Sequence, residues 1–376
     1  MLQDSLIWFL GAAIVLWSFR VIYVLWGCKR ENSKPNAVLD EAHLPFVTLI
    51  VPARNEEQNI DQCLESLIRC NYPNDRYEII CVDDCSEDLT HEKLEYYSLH
   101  YPNVHVIRLG PEKKSAELHG KTAALQAAFD IAKGEYVLMT DADCVVHEEW
   151  IREYVRAFKG TNPGLIAGIT RIKYHDFFSK VQALEWIYMS KMAAAGVGWN
   201  TPLGCYGNNY AIQKSLLDKI GGYRNIKFSV TEDLMLMLEA HRVTKNTRYL
   251  TSPEVRVLTK PVKDLGTYFN QHHRWTNGGK VLGFKAFVFV LCSSSLWIAF
   301  FASLIALNPL YMALVILLRI LGDFLVLLFP LIKHKEAKLF WHIIPAILFF
   351  LVVELVAPLM LLFKKVEWKG RVFDID

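Results

Sequence analysis

The sequence predicts an α/β protein in which a doubly wound, mostly parallel sheet is flanked by helices that cross a membrane. Three observations carry this. From residue 45 to about 270, apolar strand-like runs alternate with helical stretches, the pattern of a parallel sheet with ligand chemistry at the carboxyl ends of its strands. Two of those runs end in paired acids, Asp83-Asp84 and Asp141/Asp143, which puts both clusters on one edge. Four long apolar stretches lie outside the region, one before it and three after.

The 376 residues leave room for one large or two ordinary domains, and a hydrophobic content of 52% exceeds that of an ordinary soluble domain. Residues 5–26, SLIWFLGAAIVLWSFRVIYVLW, hold a single charge, Arg20, close enough to the end for its side chain to snorkel to the interface. The run is long enough to cross a hydrocarbon core of about 30 Å. A cleaved signal peptide is the competing reading. Lys29, Arg30 and Lys34 follow the apolar run instead of preceding it, so the expectation is an uncleaved anchor with the next residues cytoplasmic.

The closing apolar stretches are 283–306, 310–332 and 339–363. Asn308-Pro309 joins the first two as a hairpin, and the basic loop KHKEAK precedes the third. That loop is expected on the same side as Lys29 and Arg30. Three crossings leave the basic tail KKVEWKGRVFDID on the opposite side, whereas Glu354 and Pro358 allow a re-entrant last segment that returns it. The expected organisation is an N-terminal anchor at 1–28, an α/β domain at 45–270, an interfacial segment at 271–280, a spanning region at 281–363 and a tail at 364–376.

A formal charge of +2, with no basic stripe interleaved with aromatics, gives no ground for a nucleic-acid partner. The eight cysteines are scattered without a CxxC pair or zinc-finger spacing, which suits a reducing cytosol and buried apolar roles.

Within the central region, FVTLIVPA (46–53) is an apolar strand and NEEQNIDQCLESLIRC a helix with Asn55 as its cap. YEIICVDD (77–84) is a second strand, VHVIRL (104–109) a third, GKTAALQAAFDIAKG a helix, and EYVLMTDAD a fourth strand ending in acids. A lone Asp-x-Asp also fits a helix cap. Its shared edge with Asp83-Asp84 favours a ligand site. Paired carboxylates there suit a hard divalent cation, Mg2+ or Mn2+, completed by substrate phosphates and water. GKT at 120–122 lacks the upstream glycine of a Walker loop, and no GxGxxG follows the first strand, which argues against a nucleotide triphosphatase and a dinucleotide oxidoreductase.

VPARNEE, VDDCSED, GKTAALQAA, TDADC, GCYGNNYAI, TEDLML and QHHRW resemble, in order and spacing, the motifs of membrane-bound family-2 glycosyltransferases with a GT-A fold, over residues 45–280. The group includes polysaccharide synthases and ceramide glucosyltransferase-like enzymes. The resemblance implies a UDP-sugar donor, with Pro52, Glu56, Asp83 and Asp84 around the uridine and Lys121 beside the nucleotide. It implies that Asp141 and Asp143 engage the sugar diphosphate through Mg2+ or Mn2+, and that Asp233 is the base for the acceptor hydroxyl. Gln271, Arg274 and Trp275 match the QxxRW motif at the acceptor end and over the diphosphate. Cys85 stands where glycine is common, and Thr122 and Gln126 replace the usual Ala and Asn.

Each motif has a bland competitor. Thr231 can cap the helix TEDLMLMLEA, with Glu232 and Asp233 favouring its N-terminus. Trp275 and Arg274 can be interfacial anchors. His272 and His273 have no third metal ligand at useful spacing and read as solvated or locally bonded. Residues 176–196 read as an amphipathic helix lying against the bilayer, or as a core helix. The function expected is inverting sugar transfer to a lipid, lipid-linked or polysaccharide acceptor at the inner membrane, with the catalytic region cytoplasmic. The alternatives are a processive polysaccharide synthase subunit and a catalytically silent membrane scaffold.

Overall fold

The structure is a computed structural model that describes residues 2–110, 118, 120–363, 365–368 and 371–374. In chain order the elements are α1 (Leu2–Asn32), β1 (Val47–Ala53), α2 (Ile60–Ile68), β2 (Tyr77–Asp83), α3 (Thr90–His100), β3 (Val104–Arg108), α4 (Lys121–Ile131), β4 (Tyr136–Met139) and β5 (Val145–Val146). There follow α5 (Trp150–Thr161), β6 (Leu165–Gly168), β7 (Thr170–Ile172), α6 (Phe177–Gly198), β8 (Tyr210–Gln213), α7 (Lys214–Ile220), α8 (Glu232–Thr244), β9 (Thr247–Leu250) and β10 (Val257–Thr259). The chain closes with α9 (Leu265–Gly278), α10 (Phe284–Ile305), α11 (Pro309–Lys333), α12 (Ile343–Met360), β11 (Lys365–Trp368) and β12 (Arg371–Asp374).

The chain divides into two compact units. One comprises residues 30–173 and 196–260; the other comprises 1–29, 174–195 and 261–376. The second therefore takes in 174–195, a stretch that strand–helix alternation assigns to the central domain.

In the first unit a seven-stranded sheet runs in the order β3-β2-β1-β4-β8-β6-β9. Strands β1 to β4 are mutually parallel where they pair, β6 and β9 are parallel, and β8 alone runs antiparallel to its neighbours β4 and β6. The sheet is thus mostly parallel, as expected. Every residue of β2 and β4 is buried, because helices cover both faces; such strands read as unbroken apolar runs. Leu49, Leu64, Ile79, Leu138, Trp150 and Phe158 belong to the core between sheet and helices.

Two local expectations change. Asn55 does not cap α2: its backbone has φ +54°, its N–H donates to Ser86 Oγ at 3.0 Å and its Oδ1 accepts from Glu87 N at 2.9 Å. These bonds tie it to the turn after β2, and α2 starts only at Ile60. The helix over 176–196 is not amphipathic: beyond Val181 α6 buries side chains on every face, because apolar residues run through it without a polar stripe.

In the second unit, the stretches Leu6–Asn32, Phe284–Ile305, Pro309–Lys333 and Ala337–Met360 are long and apolar enough to cross a membrane. They turn large apolar side chains outward, among them Trp8, Phe19, Phe284, Leu317 and Ile344, the inverse of a soluble helix. Their charges pair inward. Arg20 does not snorkel: it is 4% exposed, hydrogen-bonded to the Tyr188 hydroxyl and 3.9 Å from Asp323, a counter-charge that hydropathy alone does not reveal. Arg319 donates to Asp323 Oδ2 at 2.7 Å and takes Glu354 in a two-pronged pair at 2.9 and 3.0 Å. Helix α12 continues through Pro358 to Met360. Of the tail at 364–376, the described residues form the antiparallel hairpin β11–β12, and the others lie outside the described residues.

Candidate active site

The parallel strands deliver their carboxyl ends to one edge, and the acids gather there. Asp83 ends β2 fully buried: Oδ1 accepts from Ser86 N at 2.9 Å, while Oδ2 faces His91 Nδ1 at 3.4 Å and Arg108 Nε at 3.5 Å. Asp84 is held by its N–H to Ala53 O at 2.9 Å and lies 3.9 Å from Arg54. Pro52 is in β1, and Glu56 in the following turn accepts from Asn59 Nδ2 at 2.6 Å and donates its N–H to Thr90 Oγ1 at 2.7 Å. At Cys85 the backbone has φ +58°, the left-handed region where a side chain is strained, which is a physical reason for glycine there. The thiol offsets part of that cost by donating to Leu109 O at 3.0 Å.

Gly120, at φ +59° and ψ −130°, makes a turn that a side chain would disfavour, and Lys121 becomes the first residue of α4. Its ammonium lies 2.6 Å from Asp141 Oδ1, 3.4 Å from Glu232 Oε1 and 3.4 Å from Gly207 O. Burial acts to lower the Lys121 pKa, but Asp141 and then Glu232 outweigh it and hold it above the ordinary lysine range. Asp143 accepts from the Cys144 thiol at 3.3 Å and from Thr259 Oγ1 at 3.4 Å. Gln126 accepts from Tyr223 N at 2.7 Å, so its departure from the usual Asn serves to tie α4 to the segment before α8.

Glu232 and Asp233 begin α8. Thr231 occupies the cap position but its side chain makes no capping bond, which removes the main support for the bland reading of TED. A Cβ on Gly207 would stand 3.0 Å from Lys121 Nζ, 3.1 Å from Asp233 Oδ2 and 3.4 Å from Glu232 Oε1. The missing side chain therefore leaves room where Asp233, Lys121 and Glu232 converge. Asn209 fixes this loop from behind: its Nδ2 donates to Ile169 O and Val255 O, and its Oδ1 accepts from Trp150 Nε1 and Tyr154 Oη. Glu232 and Gly207 join this cluster although motif matching gave them no role; an acid next to Asp233 and a glycine inside GCYGNNYAI were the available signals.

Gln271, Arg274 and Trp275 lie in the other unit, on α9, which Asp264 caps by accepting from Thr267 N at 2.8 Å. His272 beside them is not solvated but 6% exposed and ion-paired with Glu185.

No group of three or more His, Cys, Asp or Glu among the described residues makes a ready metal cage. Asp141 and Asp143 still fit a cation of the Mg2+ or Mn2+ kind, which is held through one or two carboxylates together with substrate phosphates. Asp141, with a side chain 34% exposed, is open to such a partner.

Residues 48–235 match the family model Glycosyl transferase family 2, which covers half of the chain. The chain belongs to glycosyl transferase family 2. This family-2 chain is 28% identical over 247 residues to a beta-monoglucosyldiacylglycerol synthase of Trichormus variabilis, a match spanning 64% of this chain and 50% of the synthase. It thus spans about half the length of that relative. It is also 25% identical over 323 residues to the poly-beta-1,6-N-acetyl-D-glucosamine synthase of Staphylococcus aureus, covering 83% and 72% of the two chains. Its fold matches a mannosyltransferase from Pyrobaculum calidifontis solved in complex with GDP-Man and Mn2+, with a TM-score of 0.60 and 19% identity over 96% of this chain and 99% of the other. The fold of this family-2 chain is accordingly the GT-A type.

Proposed function

We propose that this chain is an inverting glycosyltransferase of the inner membrane that moves a sugar from a UDP-sugar to a hydroxyl of a lipid or lipid-linked acceptor, its catalytic region cytoplasmic. The observation that carries this is the convergence around Gly207 of Lys121, Glu232 and Asp233, with Asp141 2.6 Å from the lysine. A candidate base and a lysine for the leaving group then stand side by side.

Asp233 accepts the proton of the acceptor hydroxyl. The oxygen attacks the anomeric carbon from the face opposite the diphosphate, the bond from that carbon to the diphosphate oxygen breaks, and its electron pair leaves on UDP. Pro52, Glu56, Asp83 and Asp84 surround the uridine, and Lys121 adds positive charge beside the diphosphate. Arg274, with Gln271 and Trp275, serves the diphosphate and the acceptor end. Asp141 and Asp143 would hold Mg2+ or Mn2+, which would supply positive charge to the departing diphosphate. The Mn2+ in the Pyrobaculum mannosyltransferase supports such a cation, and the diacylglycerol-based name of the Trichormus relative supports a lipid acceptor.

The Staphylococcus polysaccharide synthase, matched over more of both chains, favours a second reading, processive synthesis. The test is a donor screen with UDP-glucose, UDP-N-acetylglucosamine and GDP-mannose on detergent-solubilised full chain, with Mn2+, diacylglycerol and mass analysis of products. A single-sugar lipid supports the first reading, and a ladder of oligomers supports the second. Absence of both, with no donor binding, returns the chain to the scaffold alternative.

A further inference from the structure

Glu185 on α6 is 7% exposed, and its Oε1 accepts two hydrogen bonds from α9: one from the Tyr268 hydroxyl at 2.7 Å and one from His272 Nε2 at 2.8 Å. The other ring nitrogen of His272 lies 2.9 Å from the Tyr268 carbonyl oxygen. A carboxylate and a carbonyl can only accept, so these two contacts suit a ring with hydrogen on both nitrogens, an imidazolium. Burial acts to lower the His272 pKa, and the Glu185 carboxylate outweighs it and holds it above the ordinary value. The titratable groups facing this ring are Glu185 from α6 and Tyr268 from α9 itself; α12 meets the cluster through the uncharged ring of Phe349.

Tyr268, His272 and Trp275 follow one another at i, i+4 and i+7, so they share one face of α9. Trp275 meets the His272 ring edge-on at 5.1 Å and the Trp186 ring at 5.7 Å, and Trp186 is the neighbour of Glu185 on α6. Gln271, Arg274 and Trp275, at i, i+3 and i+4, make a second face that shares Trp275 with the first. A grip on the first face sets the rotation of the second.

We propose that Glu185 and His272 are positioning residues, whose buried ion pair fixes the rotation of α9 and so presents Gln271, Arg274 and Trp275 for transfer only while His272 carries its proton. This rests on the reading that the QHHRW face serves the donor diphosphate. A neutral ring has one N–H, so deprotonation removes the charge attraction that joins α9 to α6. A tautomer with hydrogen on Nδ1 leaves Glu185 held by the Tyr268 hydroxyl alone, and one with hydrogen on Nε2 keeps only a neutral hydrogen bond beside it.

The experiment compares wild type, Glu185→Gln, Arg274→Lys and the double variant in membranes matched for protein, reading kcat and donor KM across pH. Glu185→Gln should lower kcat by about tenfold and leave KM within about twofold, since it acts on the transition-state contact. The same change in the Arg274→Lys background should cost less than about twofold, because the two residues act through one contact. Wild type should lose kcat along an alkaline limb, and in Glu185→Gln that limb should move to lower pH, where burial alone acts on His272. His272→Gln keeps a donor toward Glu185 and removes the titrating group, so it should lack the limb even if Glu185→Gln fails to fold. An unmoved limb in both variants, or losses that multiply in the double variant, overturns the proposal. If Arg274→Lys transfers sugar and binds UDP like wild type, the donor reading itself fails. If Arg274→Lys loses activity while Glu185→Gln matches wild type, only the positioning role fails.

Discussion

Lys121 Nζ lies 2.6 Å from Asp141 Oδ1 and 3.4 Å from Glu232 Oε1, so one ammonium joins the first acid of TDADC to the first turn of α8. The three side chains come from separate stretches of the chain, and the lysine neutralises carboxylates that would otherwise repel. Asp141 would hold a divalent cation only by sharing with it the oxygen that now faces Lys121, so under the proposed reading the metal role of Asp141 and the diphosphate role of Lys121 are tested together.

Asp143 tests the metal role by itself. In wild type, Mn2+ with UDP should raise the melting temperature more than UDP alone, because a bound complex stabilises the folded state by mass action. Asp143→Asn keeps the shape, and the bond it receives from Thr259 is long at 3.4 Å, so its ligand-free melting temperature should match wild type. The Mn2+-dependent increment and sugar transfer should both be lost. Transfer at the wild-type rate would remove Asp143 from the metal role.

Asp233→Asn separates proton acceptance from binding. The amide keeps an oxygen to accept from Leu234 N, as Asp233 Oδ1 does at 2.8 Å, so α8 should stay intact. Turnover should fall by about 10²-fold or more while UDP affinity changes little, as loss of a general base requires. Equal loss of UDP binding and of thermal stability would instead make Asp233 a structural residue of the helix start.

The first four strands and the edge that gathers the acids are legible in the sequence because parallel strands covered on both faces are continuous apolar runs, 46–53 and 77–84 among them. Strand β8 is not: Tyr210, Ala211 and Ile212 of its four residues are the end of GCYGNNYAI, where motif and strand overlap. Hydropathy reads Arg20 as a charge seeking water, since its partner Asp323 is far along the chain and only the fold pairs them. The same holds for Lys121 with Glu232 and for Glu185 with His272. Periodicity records which residues share a face; it carries no information on which distant carboxylate completes a buried cation.

Two glycines give opposite expectations for the same substitution. A Cβ on Gly207 would meet side-chain atoms of Lys121, Asp233 and Glu232 at 3.0, 3.1 and 3.4 Å, and flexible side chains can yield. Gly207→Ala should therefore melt close to wild type yet lose transfer by at least about tenfold, because it crowds the base. A Cβ on Gly134 would stand 2.3 Å from Thr48 N and 2.7 Å from Val47 C, both backbone. Gly134→Ala should destabilise the sheet by about 1–3 kcal/mol or more, as overpacking does. Thermal melts of the two variants, with activity measured on the folded fraction, check both; a Gly207→Ala enzyme at full activity would remove this space from the site.

The last prediction concerns the tail. Helices α10 and α11 form a hairpin closed at 306–308, with Arg319 donating to Ser293 O at 3.3 Å between them, so the start of α10 and the end of α11 share a side. Only residues 334–342 separate the end of α11 from the start of α12, and Phe340 among them packs back on Phe324 of α11 with ring centroids 6.4 Å apart. At its other end, Met360 O accepts from Asn277 at 3.5 Å and Phe363 O lies 2.9 Å from His273 Nε2, both on α9, which leads directly into α10. The expectation is that both ends of α12 lie on the side from which α10 starts, although the helix is apolar enough to cross. The Glu354 carboxylate, which would be costly in lipid, is met part-way by Arg319 and by Trp297 Nε1 at 2.7 Å. In sealed vesicles, cysteines placed at residues 263 and 362 should react from the same side with a membrane-impermeant reagent, and one at residue 308 from the other. Labelling of residues 362 and 308 from one side, with residue 263 protected, would mean that α12 crosses and the tail lies opposite α9.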